Sequence, residues 1–185
     1  MNELYAAVRS NDLAKVRELV DANPQLEIFA ACILGDTAQV EQLLTGNRSL
    51  VSLLSSDGWT PLHLASHFGR IDAVRLLLNK GANVKARSTN PLENLAIHAA
   101  AAGKHADVIK VLIDHGCSPN AHQHGGWTPL HAAAQVGDIE SARVLIAGGA
   151  DVTIRADNQQ RPLDLALTKG QQAMVEFLES QGAHL

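Results

Sequence analysis

Apolar residues along the chain form short clusters with helical spacing, and two such clusters, each followed by a glycine, form one unit. In one unit Leu62 and Ala65 share the face of a first helix, which Gly69 ends. Small residues on this face allow a second helix to approach closely. The second cluster lies on one face of the next helix and comprises Ala73, Val74, Leu77 and Leu78. The predicted unit is therefore a helix, a tight turn, a second helix and a polar, hairpin-like loop.

One stretch of this unit occurs twice without change. Gly-Trp-Thr-Pro-Leu-His runs from Gly58 to His63 and again from Gly126 to His131. The threonine can cap the first helix, and the proline then occupies the first helical position, where its missing N–H group is not needed. Related histidines keep a regular spacing, since His131 follows His98 by 33 residues and His98 follows His63 by 35. The chain is therefore predicted to consist of copies of one unit.

This pattern resembles the ankyrin repeat, whose motif is Thr-Pro-Leu-His-x-Ala with a period of about 33 residues. The resemblance covers nearly the whole chain. It implies an all-α fold, an ankyrin-repeat solenoid of stacked helix-turn-helix units with β-hairpin-like loops. We expect a single domain over residues 1–185, with atypical first and last repeats because one face of each meets water. The repeats are predicted at about 1–24, 25–56, 57–89, 90–123, 124–156 and 157–185.

The fourth repeat departs from the pattern before its first helix. The stretch 89–92, Thr-Asn-Pro-Leu, imitates a helix start, but aligning His98 with His63 keeps the later positions in step. Two extra residues then fall in the preceding hairpin. This alignment puts Lys104 where other repeats have the turn glycine. Either Lys104 adopts a positive φ, which costs about 1 kcal/mol, or the turn shifts to use Gly103. Both conformations are compatible with the sequence.

Composition and charge argue against several classes of function. The net charge is −4, and no run of five like charges occurs, so a nucleic-acid-binding surface is not expected. No segment approaches the roughly 18 unbroken apolar residues that a membrane-spanning helix requires. The first residues lack the basic and apolar regions of a signal peptide. Cys32 and Cys117 should lie more than two repeats apart, too far for a disulfide. We therefore expect reduced thiols in a cytoplasmic protein.

Histidines are the candidates for metal binding or catalysis. His63, His98 and His131 occupy the repeated motif position, where the ring can bond loop backbone and connect one repeat to the next. Copies a full repeat apart cannot meet on one ion. His122 and His124 share a hairpin, but no cysteine or carboxylate there completes the three or four ligands that zinc needs. No cofactor and no catalytic residue is predicted, because nucleophile and phosphate-binding motifs are missing.

Large apolar residues occur where the repeat does not require them. Trp59 and Trp127 stand at the same repeat position, just before a helix start. In ankyrin-like proteins the hairpin tips and first helices form a concave face that binds a partner, so the resemblance implies a binding surface there. Tryptophan is frequent among binding hot spots; alternatively, each Trp covers the next hairpin and only stiffens the stack. The predicted surface residues are Asp57, Trp59, His67, Phe68, Asn94, His124, Trp127, Gln135, Val136, Asn158 and Lys169.

The sequence therefore predicts a monomeric, non-catalytic module that binds a partner protein through the concave face of the repeat stack. Neither a nucleic acid nor a membrane is an expected partner. One alternative is a structural array that associates with itself. The other is a metal-binding or enzymatic protein centred on His122 and His124.

Overall fold

The computed structural model describes residues 1–183. This part of the chain contains twelve α-helices and no strand, with short 3₁₀ segments at Pro24–Leu26, Arg48–Ser52 and His124–Gly126. The helices are α1 (Asn2–Arg9), α2 (Leu13–Ala22), α3 (Glu27–Leu34), α4 (Thr37–Gly46), α5 (Pro61–His67), α6 (Ile71–Asn79), α7 (Ala96–Gly103), α8 (Ala106–Asp114), α9 (Pro129–Val136), α10 (Ile139–Ala147), α11 (Pro162–Thr168) and α12 (Gln172–Ser180).

The helices form two layers that run along the molecule. Each odd-numbered helix packs on the even-numbered helix that follows it, and odd-numbered helices also pack on one another in sequence from α1 to α11. The even-numbered helices from α4 to α12 form the second layer in the same way. Aliphatic side chains such as Ile97, Leu112, Leu130 and Leu145 fill the space between neighbours and are fully buried. This is the predicted all-α solenoid of stacked helix-turn-helix units.

The repeated histidines connect each helix start to the next loop. Nδ1 of His131 accepts a hydrogen bond from the backbone N–H of Thr128 at 3.1 Å. Its Nε2 faces the carbonyl oxygen of Gln160 at 3.0 Å, and because a carbonyl only accepts, this nitrogen carries the proton. Nε2 of His63 donates to Asn94 in the same way, and Nε2 of His98 donates to Ala121, each at 2.9 Å. The predicted structural role of the three histidines is confirmed.

Burial keeps these imidazoles neutral. Loss of solvent disfavours the charged ring and lowers the pKa of His98 to about 4. The same cause lowers the pKa of His63 and of His131, against the smaller opposing effect of the backbone hydrogen bonds.

The loops before the first helices are hairpin-like although no strand forms. At the base of each loop a backbone N–H donates to a backbone carbonyl, from Ser55 to Trp59 (2.9 Å), Ser88 to Asn94 (2.8 Å), Gln123 to Trp127 (2.8 Å) and Ala156 to Gln160 (2.9 Å). Neighbouring loops are also joined, because the N–H of His124 donates to the carbonyl of Leu92 at 2.8 Å. The loops therefore form a connected row along one side of the molecule.

The turn inside the fourth repeat uses Lys104 and not Gly103. Lys104 has a φ of 64° and ends α7 in the left-handed conformation. Gly103 is needed for another reason, since a Cβ atom there would overlap the carbonyl oxygen of His67. That carbonyl also accepts a hydrogen bond from Nε2 of His105 at 3.0 Å. The close approach of the third repeat therefore decides which residue takes the positive φ.

The first repeat is atypical because no hairpin separates α2 from α3. Tyr5 of α1 extends to the third repeat, where its hydroxyl donates to the carboxylate of Asp57 at 2.5 Å. The Tyr5 ring also lies 5.9 Å from the ring of Phe68. The guanidinium of Arg9 stacks over Phe68 at 5.9 Å from the ring centroid. Helix α1 is thus held by the hairpin and first helix of the third repeat.

Both cysteines are unpaired and buried, as predicted. Cys32 lies inside α3, and Cys117 follows α8. Burial raises the pKa of the Cys32 thiol to about 12 and that of Cys117 to about 11. Burial outweighs the nearby charge of Lys85, which acts to lower the pKa of Cys117, so neither thiol has the lowered pKa and the exposure that make a cysteine reactive.

Candidate partner-binding groove

A groove of about 460 Å³ lies between the hairpin loops and the first helices of the third, fourth and fifth repeats. The hairpins supply its walls, and α5, α7 and α9 supply its floor. We call it the central groove. Its lining residues are Trp59, His67, Leu92, Asn94, His98, Ala99, Ala102, Gln123, His124, Trp127, Ala132 and Gln135.

The groove exists because the fourth and fifth repeats carry small residues at positions that the third repeat fills with larger ones. With the motif histidines aligned, Asn94 stands in the fourth repeat where Trp59 and Trp127 stand in the neighbouring two. On the floor, Ala99 and Ala132 occupy the position that Leu64 holds in the third repeat. The middle one of the three hairpins therefore carries no indole, and the helices beneath it carry only short side chains at this position.

Asn94 is buried and holds its hairpin in place. Only 4% of the residue is exposed, and its side-chain oxygen accepts a hydrogen bond from the Ser88 hydroxyl at 2.6 Å. The Asn94 carbonyl accepts from Nε2 of His63 at 2.9 Å. Asn94 thus shapes the groove and presents little surface of its own to a partner.

The two tryptophans flank this gap and are half-buried. The Trp59 ring meets the His67 ring edge-on at 5.4 Å between centroids. Trp59 also packs against the hydrophobic core, and its ring lies 6.0 Å from the His63 ring, as the ring of Trp127 lies 5.6 Å from that of His131. Within residues 1–183 neither indole N–H has a hydrogen-bond partner. Both side chains therefore line the groove with part of their surface exposed and with an indole N–H that is unpaired within the described residues.

Leu92 is a groove residue that the sequence prediction missed. It lies at the tip of the fourth hairpin, lines the groove and is 51% exposed. The signal was present, because the hairpin that carries the two extra residues places an apolar side chain at its tip.

The structure brings six of the eleven predicted surface residues together in the central groove: Trp59, His67, Asn94, His124, Trp127 and Gln135. The other five do not line it. Asp57 and Phe68 contact Tyr5 of α1 instead. Val136 is half-buried at the end of α9, while Asn158 and Lys169 are exposed further along the chain. Asn158 is engaged locally, since its amide nitrogen donates to Gln160 at 2.7 Å.

The lining of the central groove contains no permanently charged side chain among the described residues. It includes no aspartate, glutamate, lysine or arginine. Burial lowers the pKa of His67, which is part of the lining, and the nearby Arg9 and His105 add to that effect. The hydrogen bond from His67 Nδ1 to the carbonyl of Ala99, at 3.4 Å, acts in the opposite direction.

The hairpin of His122 and His124 has a structural bond of its own. Nδ1 of His122 donates to the carbonyl of Gly126 at 3.1 Å.

Among the described residues no three His, Cys, Asp or Glu side chains converge as metal ligands would. Likewise, none of the helices described has both the length and the apolar character needed to cross a bilayer.

Comparison with known proteins identifies the family. A family described as "Ankyrin repeats (3 copies)" matches residues 4–88 and 97–185, and one described as "Ankyrin repeats (many copies)" matches residues 65–113. The chain belongs to the ankyrin repeat family. Proteins built on these repeats generally use them as protein–protein interaction modules.

Similar proteins include ankyrin repeat protein FPV031 of Fowlpox virus (strain NVSL), 33% identical over 67% of this chain and 38% of the viral protein. Tyrosine-protein kinase HTK16 of Hydra vulgaris is 32% identical over 83% of this chain and 20% of the kinase. The B-cell lymphoma 3 protein homolog of Mus musculus is 28% identical over 81% of this chain and 34% of that protein. The chain thus spans well under half the length of each of these relatives.

Proposed function

We propose that this chain is a non-catalytic recognition module that binds a partner protein through the central groove. One observation carries the proposal: two half-buried tryptophans line the same groove on either side of a repeat that has the shorter Asn94 at their position. Stacking of the repeats on one another does not require exposed indole surface or alanine residues at the floor of the groove.

The energetics of binding favour this location. Large aromatic side chains at the centre of an interface often contribute about 2 kcal/mol or more each. The groove and the hairpin tips around it span three repeats, which can supply the roughly 800 Å² per partner of a standard interface. Because the loops are joined by hydrogen bonds, little ordering is required on binding.

The best test fills the groove without disturbing the fold. Ala132→Leu introduces the residue that the third repeat carries as Leu64 and the sixth as Leu165. Ala102→Gln introduces the residue present in the fifth repeat as Gln135, at an exposed site. A partner captured by the wild-type protein from cell extract and identified by mass spectrometry should bind the double variant at least about tenfold more weakly.

Leu92→Asp against Leu54→Asp provides a matched pair. Both leucines lie in hairpin-side loops with similar exposure, 51% and 45%, but only Leu92 lines the groove. Leu92→Asp should abolish capture and Leu54→Asp should not. A partner that binds all variants equally would show that recognition occurs on another surface. Light scattering across a concentration series distinguishes the proposed monomer from a self-associating array.

A further inference from the structure

The chemistry of the central groove indicates which kind of segment it accepts. We infer that it binds an uncharged, proline-containing segment of the partner in the polyproline II conformation. This inference rests on the function proposed above and specifies its ligand. Three properties of the groove support it. The lining has no permanently charged side chain among the described residues, the backbone groups of the adjacent loops are already hydrogen-bonded, and two indole N–H donors are unpaired.

The lining offers no counterion to a charged ligand. Its titratable residues are His67, His98 and His124, and burial lowers the pKa of the first two. A carboxylate or ammonium group buried there would lose its hydration without gaining a partner. Uncharged side chains are therefore favoured.

The loop backbone beside the groove is already paired. The N–H of Gln123 donates to the carbonyl of Trp127, and the N–H of His124 donates to the carbonyl of Leu92, each at 2.8 Å. The Trp127 carbonyl also accepts from Nε2 of His98 at 3.3 Å. A partner strand would find no open edge here, so the ladder of hydrogen bonds that supports strand addition cannot form.

The free donors of the groove discriminate between the remaining conformations. The indole N–H groups of Trp59 and Trp127 are unpaired within the described residues. A helical ligand has used its carbonyls internally and would leave these donors buried without acceptors, which weakens binding. A polyproline II segment has free carbonyls that can accept from them. Proline also brings no N–H of its own that would need a partner.

The geometry of a polyproline II segment also matches the repeat. Every third residue returns to the same face after about 9 Å, since the rise is about 3.1 Å per residue. Packed helices lie about 8–10 Å apart, so α5, α7 and α9 are spaced in the same way. Successive prolines would then contact successive repeats, with rings against the tryptophans and above the floor of Ala99, Ala102 and Ala132.

The test uses capped synthetic peptides of about nine residues, which span about 28 Å in polyproline II. The probe has proline at every third position with alanine and leucine between. One comparison peptide replaces each proline by alanine, and another replaces each leucine by glutamate. By calorimetry, the proline peptide should bind wild-type protein at least about tenfold more tightly than either comparison peptide.

The donors are tested by Trp59→Phe and Trp127→Phe, which keep an aromatic ring and remove the N–H. Each should weaken the proline peptide by about tenfold, and Leu54→Ala should leave it unchanged. Ala132→Leu should abolish binding. Thermal unfolding of every variant confirms that it is folded.

Two outcomes would overturn the inference. One is an alanine peptide that binds as tightly as the proline peptide; the other is no binding of the proline peptide at about 1 mM. Either outcome leaves the proposed function intact if the captured partner still binds the groove-filling double variant more weakly than the wild-type protein. Binding of the peptide that survives Ala132→Leu also overturns the inference, because it occurs elsewhere. Failure of the proposed function is a separate result, namely a captured partner that is insensitive to the filled groove.

Discussion

Each buried motif histidine uses both ring nitrogens, one toward its own helix start and one toward the next hairpin. For His98, Nδ1 accepts from the N–H of Leu95 at 3.2 Å, and Nε2 donates to the carbonyl of Ala121 at 2.9 Å. A second proton would have to be added at Nδ1, which faces a donor. Only the neutral ring with the proton on Nε2 therefore satisfies its surroundings.

This arrangement predicts a loss of stability in mild acid. The pKa of His98 is lowered from an ordinary value near 6.5 to about 4, so between these values the unfolded chain binds a proton that the folded chain does not. The free energy of unfolding should fall as pH falls from about 6.5 to about 4. His63 and His131 act in the same direction.

His98→Gln isolates the contribution of one ring, because glutamine keeps a donor and an acceptor but does not titrate. Urea unfolding should show that wild type loses about 1–2 kcal/mol more than the variant between pH 7 and pH 5. Equal losses in the two proteins would contradict the assignment.

A second prediction at this scale compares two turn glycines. Gly69 and Gly170 have nearly the same φ, 67° and 66°. A Cβ atom added at Gly69 would overlap the His105 ring, whereas a Cβ atom added at Gly170 would have no neighbouring atom of the described residues within 4 Å. Gly170→Ala should cost about 1 kcal/mol from backbone strain alone. Gly69→Ala should cost at least about 1 kcal/mol more, because His105 must give up its bond to the carbonyl of His67. Chemical denaturation measures both, and similar losses would show that His105 can move freely.

At the scale of secondary-structure elements, α1 stands out because its Tyr5 contacts the third repeat and not only the neighbouring second repeat. Tyr5 falls at the position that His63 occupies in the third repeat, counted from the turn residues Asn11 and Gly69. Like that histidine, it connects its helix to a hairpin further along. The hairpin belongs to the third repeat, since no hairpin separates α2 from α3.

Tyr5→Phe should therefore loosen α1 specifically. The change keeps the ring against Phe68 and removes the donor to the Asp57 carboxylate, with an expected loss of about 1–2 kcal/mol. In an Asp57→Ala background the same change should have almost no further effect. Urea unfolding of the four proteins gives the coupling energy, and a value near zero would mean that the hydrogen bond does not support the helix.

At the scale of the whole molecule, stability depends on neighbours, so the ends differ from the middle. Helices α1 and α2 together bury only Leu4, Ala7 and Val16, whereas α7 alone buries residues 96–101. Hydrogen exchange followed by mass spectrometry should show residues 2–22 exchanging at least about tenfold faster than residues 96–114. Uniform protection along the chain would indicate a single cooperative unit without fraying ends.

The sequence was sufficient for features set by local chemistry. The helix starts after Thr60 and Thr128 and the role of the motif histidines follow from the local pattern, and the structure confirms them. The predicted capping bond is present at Thr60, whose hydroxyl accepts from the N–H of His63 at 3.4 Å. The sequence does not decide the conformation of the turn at Lys104, because that conformation depends on the carbonyl of His67 in the preceding repeat.

Contacts between distant residues could not be derived from local patterns. The bond from Tyr5 to Asp57 spans 52 residues, and it places Asp57 and Phe68 against α1 and outside the central groove. The sequence prediction does not include Leu92, because the stretch that carries it imitates a helix start. The predicted participation of Val136, Asn158 and Lys169 in binding stays a prediction.

The short Asn94 between two tryptophans has a consequence for engineering and for evolution. Exchanging which loop carries the small side chain would relocate the recess by a whole module, while the faces that hold modules together stay the same. Selectivity in such an array can therefore change through a few substitutions along one rim, provided that the bond between Asn94 and Ser88 that holds the hairpin is replaced as well.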